Sequence, residues 1–462
     1  MEKYLGNKSS LLPLIEGFFK SRIPTANRIS DVFAGTNNVS RYFRGRGWTT
    51  AACDVNRFSY VLAQAYLGTD EPPIFSAVRT RRVNAFRMRH MQHELARSVA
   101  RFGHAYLPNV SAAEAFVDLS ALANVLVRLQ LIGESNTSSG VITDCFTQWG
   151  SRSKYESQRG AKGARNYFSR QNALFLDGVL ATIRKWWADG QLTRNEVFLL
   201  MTAVLEEVVI TANVNGTFHD FNRDRIWPNA EQNFQLRVPL VSCSQPVGEI
   251  ANADAVDVAR VFARHDIAYL DPPYNFRQYS AYYHFLNFVA AYPFLSDVEA
   301  YVSGLSHVRG QHPEDDFASD FCYRRKFVTS LRRLIENIDA DHVVLSYYGG
   351  RNHWNHWASV DEPTDEGLEE LRTLFDDSDL FSHSEVVPAL EIRKNYQSRV
   401  GEQKGLVNEY LFHGVRRNRI ARANSECVSP LVTNSRWGLV DKFVHTTAAG
   451  NDEVDQGVRA TG

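Results

Sequence analysis

Asp271, Pro272, Pro273 and Tyr274 close a short apolar run that starts at Ile267. Neither proline can donate to a sheet ladder and both hold φ at about −65°, so the chain must leave a sheet stiffly at the carboxyl end of a strand. A carboxylate, a peptide carbonyl and an aromatic ring then share one rigid corner. That corner suits an amino group on a planar ring: Asp271 and the Pro272 carbonyl accept its two hydrogens, and Tyr274 stacks on the ring face. Drawing both hydrogens toward oxygen localises the nitrogen lone pair, so that a weak nucleophile can attack a methyl donor. The same four residues also read as a Pro-Pro turn with a capping acid, and their meaning rests on the elements around them.

Ile29 to Phe43 has the form strand, small-residue turn, helix start, which points backbone N–H groups and a positive helix end at a bound ligand. A dinucleotide fold wants three glycines here, and only Gly35 is present. Asn37 and Asn38 are expected to replace glycine, because Asn visits left-handed backbone more cheaply than other side chains. Thr49 to Cys53 reads as the next strand and ends at Asp54, where an acid in a doubly wound fold takes a ribose hydroxyl pair. Asp54 reads equally as a cap for a helix from Arg57 to Leu67. At the N-terminus, Lys3 to Lys8 runs into the apolar stretch Leu11 to Phe19 without the pattern of a signal peptide, and is expected to be mature structure. Gly6 permits a tight turn there and Lys8 can reach a carboxylate.

These segments, in this order, resemble the Dam-like DNA adenine-N6 methyltransferases, which include many restriction-modification methylases. Tyr4 to Lys8 resembles the family's N-terminal Tyr/Trp-x-Gly-x-Lys element, Phe33-Ala34-Gly35 its Phe-x-Gly loop, and Asp271 to Tyr274 its catalytic tetrapeptide. The resemblance implies a Rossmann-like methyltransferase sheet and an S-adenosylmethionine site. Tyr4, Lys8, Phe33, Ala34, Gly35, Thr36, Asp54 and Asp271 would line it, with Lys8 near the methionine carboxylate. Asn252 and Asp254 resemble the element that reads the cofactor's adenine edge, and read equally as a cap for a helix from Ala255. Arg277 to Tyr279, Tyr283 to Phe285, the strand Val343 to Tyr348 and the late strand Glu409 to Leu411 extend the likeness to roughly 1–72 and 240–415. One position departs from it: the family loop continues Phe-x-Gly-x-Gly, and residue 37 is Asn.

A doubly wound sheet needs only a few tens of residues per unit, yet about 170 separate Asp70 from Leu236, where sheet-like sequence resumes. The chain therefore divides into 1–72 and 239–415 as the two parts of an α/β core, 73–238 as a mainly helical inserted target-recognition domain, and 416–462 as a tail. Helices are expected over Ala112 to Leu131, Asn172 to Trp187 and Thr193 to Thr211, from apolar residues at three- and four-residue spacing, and Asn84 to Phe102 reads as a further helix. Tyr167 to Ala173 resembles a stretch in the inserts of several modification methylases. The tail is expected to be mobile apart from a short docking element over Arg436 to Val444.

Formal net charge is −1, but the bases are not evenly spread. Arg79 to Arg82, Arg87, Arg89, Arg97 and Arg101 form one run, and Arg152, Lys154, Arg159, Lys162, Arg165 and Arg170 another. The first suits either a solvated helix face or phosphates. The second lies in a Gly- and Ser-rich stretch that reads as a flexible loop clamping a duplex, with Arg159, Lys162 and Arg165 on the phosphates. Asn213, Asn215 and Arg223 are candidates for base edges, since Asn pairs with adenine and Arg with guanine, although Asn-Gly turn chemistry explains that loop as well.

The 462 residues, 44% of them hydrophobic, can bury a large core. Five scattered cysteines, with no Cys-x-x-Cys, fit a reducing cytoplasm, and no window approaches a membrane span. His353 and His356 have no third ligand at metal-site spacing, so no metal is expected. The favoured reading is a site-specific methyltransferase acting on adenine in double-stranded DNA, in a restriction-modification or phage-defence setting, with a cognate restriction endonuclease as a candidate companion whose presence the sequence leaves open. A nucleic-acid-binding protein on an inactive methylase fold is the rival from another class, and cytosine N4, RNA or protein amides are alternative substrates.

Overall fold

The computed structural model describes residues 7–258, 262–350, 352–354, 366–394 and 406–417. Its main sheet has seven strands: β1 (Arg28–Asp31), β2 (Thr49–Cys53), β5 (Glu249–Ala251), β6 (His265–Leu270), β7 (Ala340–Tyr348), β8 (Phe381–Lys394) and β9 (Leu406–Arg416). Their order is β5-β2-β1-β6-β7-β9-β8. The first five run parallel, and β9 lies antiparallel between β7 and β8. The chain winds outward from β1 in one direction through β2 and β5, then in the other through β6 and β7. The reversal falls between β1 and β6; in open α/β sheets the crevice beyond the carboxyl ends of such a pair is where ligands bind.

Burial on both faces explains the apolar strand sequences. Along β6, Ile267 and Tyr269 face one core with Phe19 and Phe43, whereas Ala268 and Leu270 face another with Phe327 and Leu331. Helices α1 (Leu12–Arg22) and α2 (Asn38–Gly45) cover the first face; helices Arg324–Asn337 and Glu366–Phe375 cover the second. After β2 comes α3 (Arg57–Leu67), with the bounds its sequence suggests.

Next follow α4 (Ala85–Tyr106), α5 (Ala112–Asp118), α6 (Ser120–Ser135), α7 (Val141–Phe146), α8 (Arg170–Ala188) and α9 (Arg194–Thr211). Asn84 caps α4, its side chain accepting from the Phe86 and Arg87 amides. The single helix expected over Ala112 to Leu131 is instead two, bent by 73°. The bend turns Ala115 and Leu122 onto one core.

These helices share a continuous apolar cluster with α3 and with the helix His284–Ala291. The segment 73–238 is thus packed on the sheet through α3. Arg44, buried in α2, ties its two ends: the guanidinium donates to the carbonyls of Tyr66 and Thr69 where the chain leaves the sheet, and of Ser242, Gln245 and Pro246 where it returns. Among the described residues no single helix is long and apolar enough to cross a membrane.

The stretch expected as a flexible loop is a β-hairpin, β3 (Lys154–Glu156) against β4 (Lys162–Ala164). Ser157 and Ala161 close its turn by a 2.8 Å backbone bond, and Gly160 supplies φ +79°. Strands of three polar or small residues carry no apolar alternation, so sequence periodicity could not reveal them.

Candidate active site and nucleic-acid interface

The turn after β1 carries the first part of the site. Phe33 packs edge-on to Phe321 with ring centroids 5.0 Å apart. The Ala34 amide donates to the Cys53 carbonyl at 2.9 Å, joining this turn to the end of β2. Gly35 has φ +51° and Asn37 has φ +60°, ψ 22°, both left-handed. Asn37 therefore adopts backbone that glycine would supply at that place, while its amide donates to the Ser59 carbonyl at 2.9 Å. Asn38 is already helical, so only one of the two asparagines replaces glycine. Thr36 is buried beside them.

Asp54 joins the turns after β1 and β2. One carboxylate oxygen accepts from the Gly35 amide at 2.9 Å, the other from the Asn56 amide at 2.8 Å. Burial pushes its pKa up, against the pull of these bonds. Asn252 donates from its side chain to the Asp54 carbonyl at 2.8 Å. Asp254 accepts from the Val256 amide at 2.9 Å and caps the helix Ala255–Val258, so its reading as a cap holds. The first of these contacts brings Asn252 beside Asp54.

The catalytic corner leaves β6 as its prolines require. Asp271 is 17% exposed, and its Oδ1 lies 2.9 Å from the Lys8 ammonium. Lys8 also pairs with Glu409 of β9, which accepts a 2.6 Å bond from the Ser346 hydroxyl. The N-terminal lysine, the acid after β6 and an acid of β9 thus form one buried ion group. Tyr274 differs from expectation. Its ring is seated in the core, edge-on to Tyr347 at 5.4 Å and tilted against Phe327 at 6.1 Å, with 7% exposure. In this conformation the ring presents no open face for stacking, because its neighbours cover it. Tyr4 lies outside the described residues.

Two acids of the site escaped sequence reasoning. Asp31 ends β1, fully buried, and accepts from the Ser40 hydroxyl at 2.9 Å. Burial, with the Asp271 and Asp54 charges adding, raises its pKa to about 7. Its signal was an acid at a strand end two residues before Phe33. Glu409 marks a strand by sequence; its sign as a site residue is a charge inside an apolar strand. Asp31, Asp54 and Asp271 thus sit at the carboxyl ends of three neighbouring strands, β1, β2 and β6. This acid-rich crevice fits a small cationic ligand such as S-adenosylmethionine, which carries a sulfonium and an ammonium group.

The expected nucleic-acid contacts divide. Arg159 and Lys162 are exposed on the β3–β4 hairpin. Arg165 is 5% exposed, and its guanidinium donates to the carbonyls of Arg152, His307 and Val308 at 3.1 Å each. It anchors the hairpin base, and Gly310, at φ +73°, leaves room that a Cβ would deny it. Asn213 is likewise a correction: fully buried, its amide donates to the carbonyls of Asn166, Asn222 and Arg225, and its oxygen accepts from the Trp227 amide. Neither side chain is available to DNA, because each satisfies buried backbone groups. Asn215 and Arg223 are exposed, with Arg223 paired to Asp220 at 2.8 Å. This loop abuts the segment after the catalytic corner, where His219 stacks on Tyr282 at 4.4 Å, and Tyr155 of the hairpin meets Phe221 at 6.0 Å. The hairpin, the loop and the helix Tyr279–Tyr282 are neighbours.

With this geometry in hand, comparison with known sequences decides the family. The sequence model of the D12 class N6 adenine-specific DNA methyltransferases matches residues 4–118 and 152–307. The chain belongs to that family. The match enters the helical region from both sides and omits only 119–151 between its two parts, so much of 73–238 is family sequence. Among curated relatives, modification methylase StsI of Streptococcus sanguinis is 24% identical over 357 residues, 75% of this chain and 43% of its own. Modification methylase LlaI of Lactococcus lactis subsp. lactis is 24% identical over 281 residues, 60% of this chain and 36% of its own. Type II methyltransferase M.NlaIII of Neisseria lactamica is 29% identical over 191 residues, 41% of this chain and 53% of its own. The chain spans less than half the length of StsI and LlaI. No solved structure matches it significantly.

Proposed function

We propose that the chain transfers a methyl group from S-adenosylmethionine to the N6 amino group of an adenine turned out of duplex DNA, in a restriction-modification setting. The observation that carries this reading is the convergence of Asp271, Lys8, Asp54 and the Gly35 turn on the β1–β6 crevice of a D12-class chain. When bound, S-adenosylmethionine supplies an electrophilic methyl group. Asp54 would hold its ribose, residues 33–36 and Asp31 its amino-acid part, and Asn252 and Asp254 its adenine edge. Tyr4 is proposed for the same site.

The chain's own residues then act on the target base. Asp271 and the Pro272 carbonyl accept the amino hydrogens and draw the lone pair outward, while Pro273 keeps the corner stiff. Tyr274 turns from its seat against Tyr347 to cover the base. The contribution is positioning in a polar pocket assembled in advance. Arg159 and Lys162 hold phosphates, Arg223 and Asn215 approach base edges, and 73–238 serves target recognition. The rival reading of an inactive fold drew on the Asn at position 37. The left-handed conformation of that residue, which glycine would supply, supports the enzyme reading instead.

Labelled methyl transfer to duplex DNA, followed by nucleoside analysis, tests the proposal. N6-methyladenine is the expected product. N4-methylcytosine, or label only in RNA or protein, overturns the substrate assignment.

A further inference from the structure

We propose that Glu409 is a positioning residue for transfer, holding the Lys8 ammonium against Asp271. The proposal rests on the reading above and names a residue that reading does not use. Three distant parts of the chain meet here: Lys8 and Glu409 are 401 residues apart, and Asp271 closes β6. Glu409 is 1% exposed on β9, an inner strand of the sheet. A carboxylate so placed costs several kcal/mol unless a cation and hydrogen bonds offset it. Lys8, itself 5% exposed, is that cation, and the Ser346 hydroxyl adds a bond at 2.6 Å.

Lysine carries a compact charge on a flexible stem and holds a defined position only where packing or a second partner removes its freedom. Asp271 is 17% exposed and Glu409 1%, so the ammonium is held between a partly exposed carboxylate and a buried one. The charge count has a consequence for chemistry. Two carboxylates sharing one ammonium keep a formal charge of −1, so Lys8 orients Asp271 through Oδ1 without neutralising it as an acceptor. With Glu409 uncharged, Lys8 and Asp271 become a one-to-one pair, and the acceptor for the amino hydrogens weakens. On this account Lys8 serves the catalytic acid rather than the methionine carboxylate.

The test compares wild type, Glu409→Gln and Ser346→Ala in steady-state methyl transfer, cofactor calorimetry, and competitive lysine acetylation read by mass spectrometry. Glu409→Gln should lower kcat on the order of tenfold or more, with KM for DNA and cofactor affinity within about threefold. Ser346→Ala, the gentler change, should lower kcat by a smaller factor in the same direction. Lys8 should acetylate slowly in wild type and several times faster in Glu409→Gln. Unchanged kcat in a folded Glu409→Gln overturns the proposal. So does a loss confined to cofactor affinity, which returns Lys8 to the cofactor. If Glu409→Gln does not fold, Ser346→Ala with wild-type kcat overturns it. A wild type that methylates no DNA while Lys8 stays protected overturns the functional reading and this catalytic role together, but leaves the pairing standing.

Discussion

The crevice and the hairpin face use the same residue types to opposite ends. At the crevice, Lys8, Asp54 and Asp271 come from three separate segments and gather at the carboxyl ends of the adjacent strands β2, β1 and β6. On the hairpin face, Arg159, Lys162 and Arg165 are neighbours in sequence, yet two reach solvent and one is consumed by carbonyls of its own chain. Asn213 and Asn215 divide in the same way two residues apart. A cation or an amide is as good a partner for a buried backbone carbonyl as for a phosphate or a base, so residue type alone does not separate the two uses. Burial does.

The sharpest way to break this contrast is at the catalytic corner. Asp271→Ala should lower methyl transfer by about 10²- to 10⁴-fold, the range for loss of a group acting directly at the reacting atom, while circular dichroism and duplex binding stay near wild type. Methylation surviving at a tenth of the wild-type rate would remove Asp271 from the reaction.

Next in size is the division within the basic run. Arg165→Ala should destabilise the fold by about 2–4 kcal/mol, because it strands three carbonyl acceptors in a buried place, and denaturant unfolding reads the loss. The double change Arg159→Ala with Lys162→Ala should move stability by no more than about 0.5 kcal/mol. It should instead flatten the salt dependence of DNA binding by about two slope units. The reverse pattern, a stable Arg165→Ala and an unstable double variant, would exchange their assignments.

A third test uses pH. Burial raises Asp31 in the folded chain to about 7, well above the ordinary carboxylate value. Between those two values the folded state holds a proton that the unfolded state releases. Its contribution is therefore full at low pH and is lost as pH rises through about 7. Asp31→Asn should unfold at nearly the same denaturant concentration at pH 7.5 and pH 5.5, after correction for other groups, whereas wild type should gain stability on going to the lower pH. Parallel curves for the two proteins would show that Asp31 is not held protonated.

The smallest expected effect concerns Asn37. Asn37→Gly keeps the left-handed backbone and loses one bond to Ser59, so stability should change by about 1 kcal/mol or less. Asn37→Val should cost more, since a branched side chain resists positive φ. Equal melting temperatures for Gly and Val at this position would mean that the turn tolerates another geometry.

Local chemistry in the sequence was enough to determine the backbone turns that carry the candidate site. The Pro-Pro corner after an apolar run, the acid ending Thr49 to Cys53 and the small-residue turn at Gly35 each dictate their own backbone, and each stands where it was expected. Family resemblance tied those pieces to one reaction. Tertiary structure alone decided which polar groups are free to meet a ligand. It placed Glu409 against Lys8 across the length of the chain, turned Tyr274 into the core, and committed Arg165 and Asn213 to the backbone. It also built a hairpin from strands too short and polar to show a period, and packed the helices of 73–238 onto α3 in one apolar cluster. A turn is set by the torsions of a few adjacent residues. The partner of a charge is set by whatever the fold brings within about 3 Å of it, and distance along the chain carries no record of that.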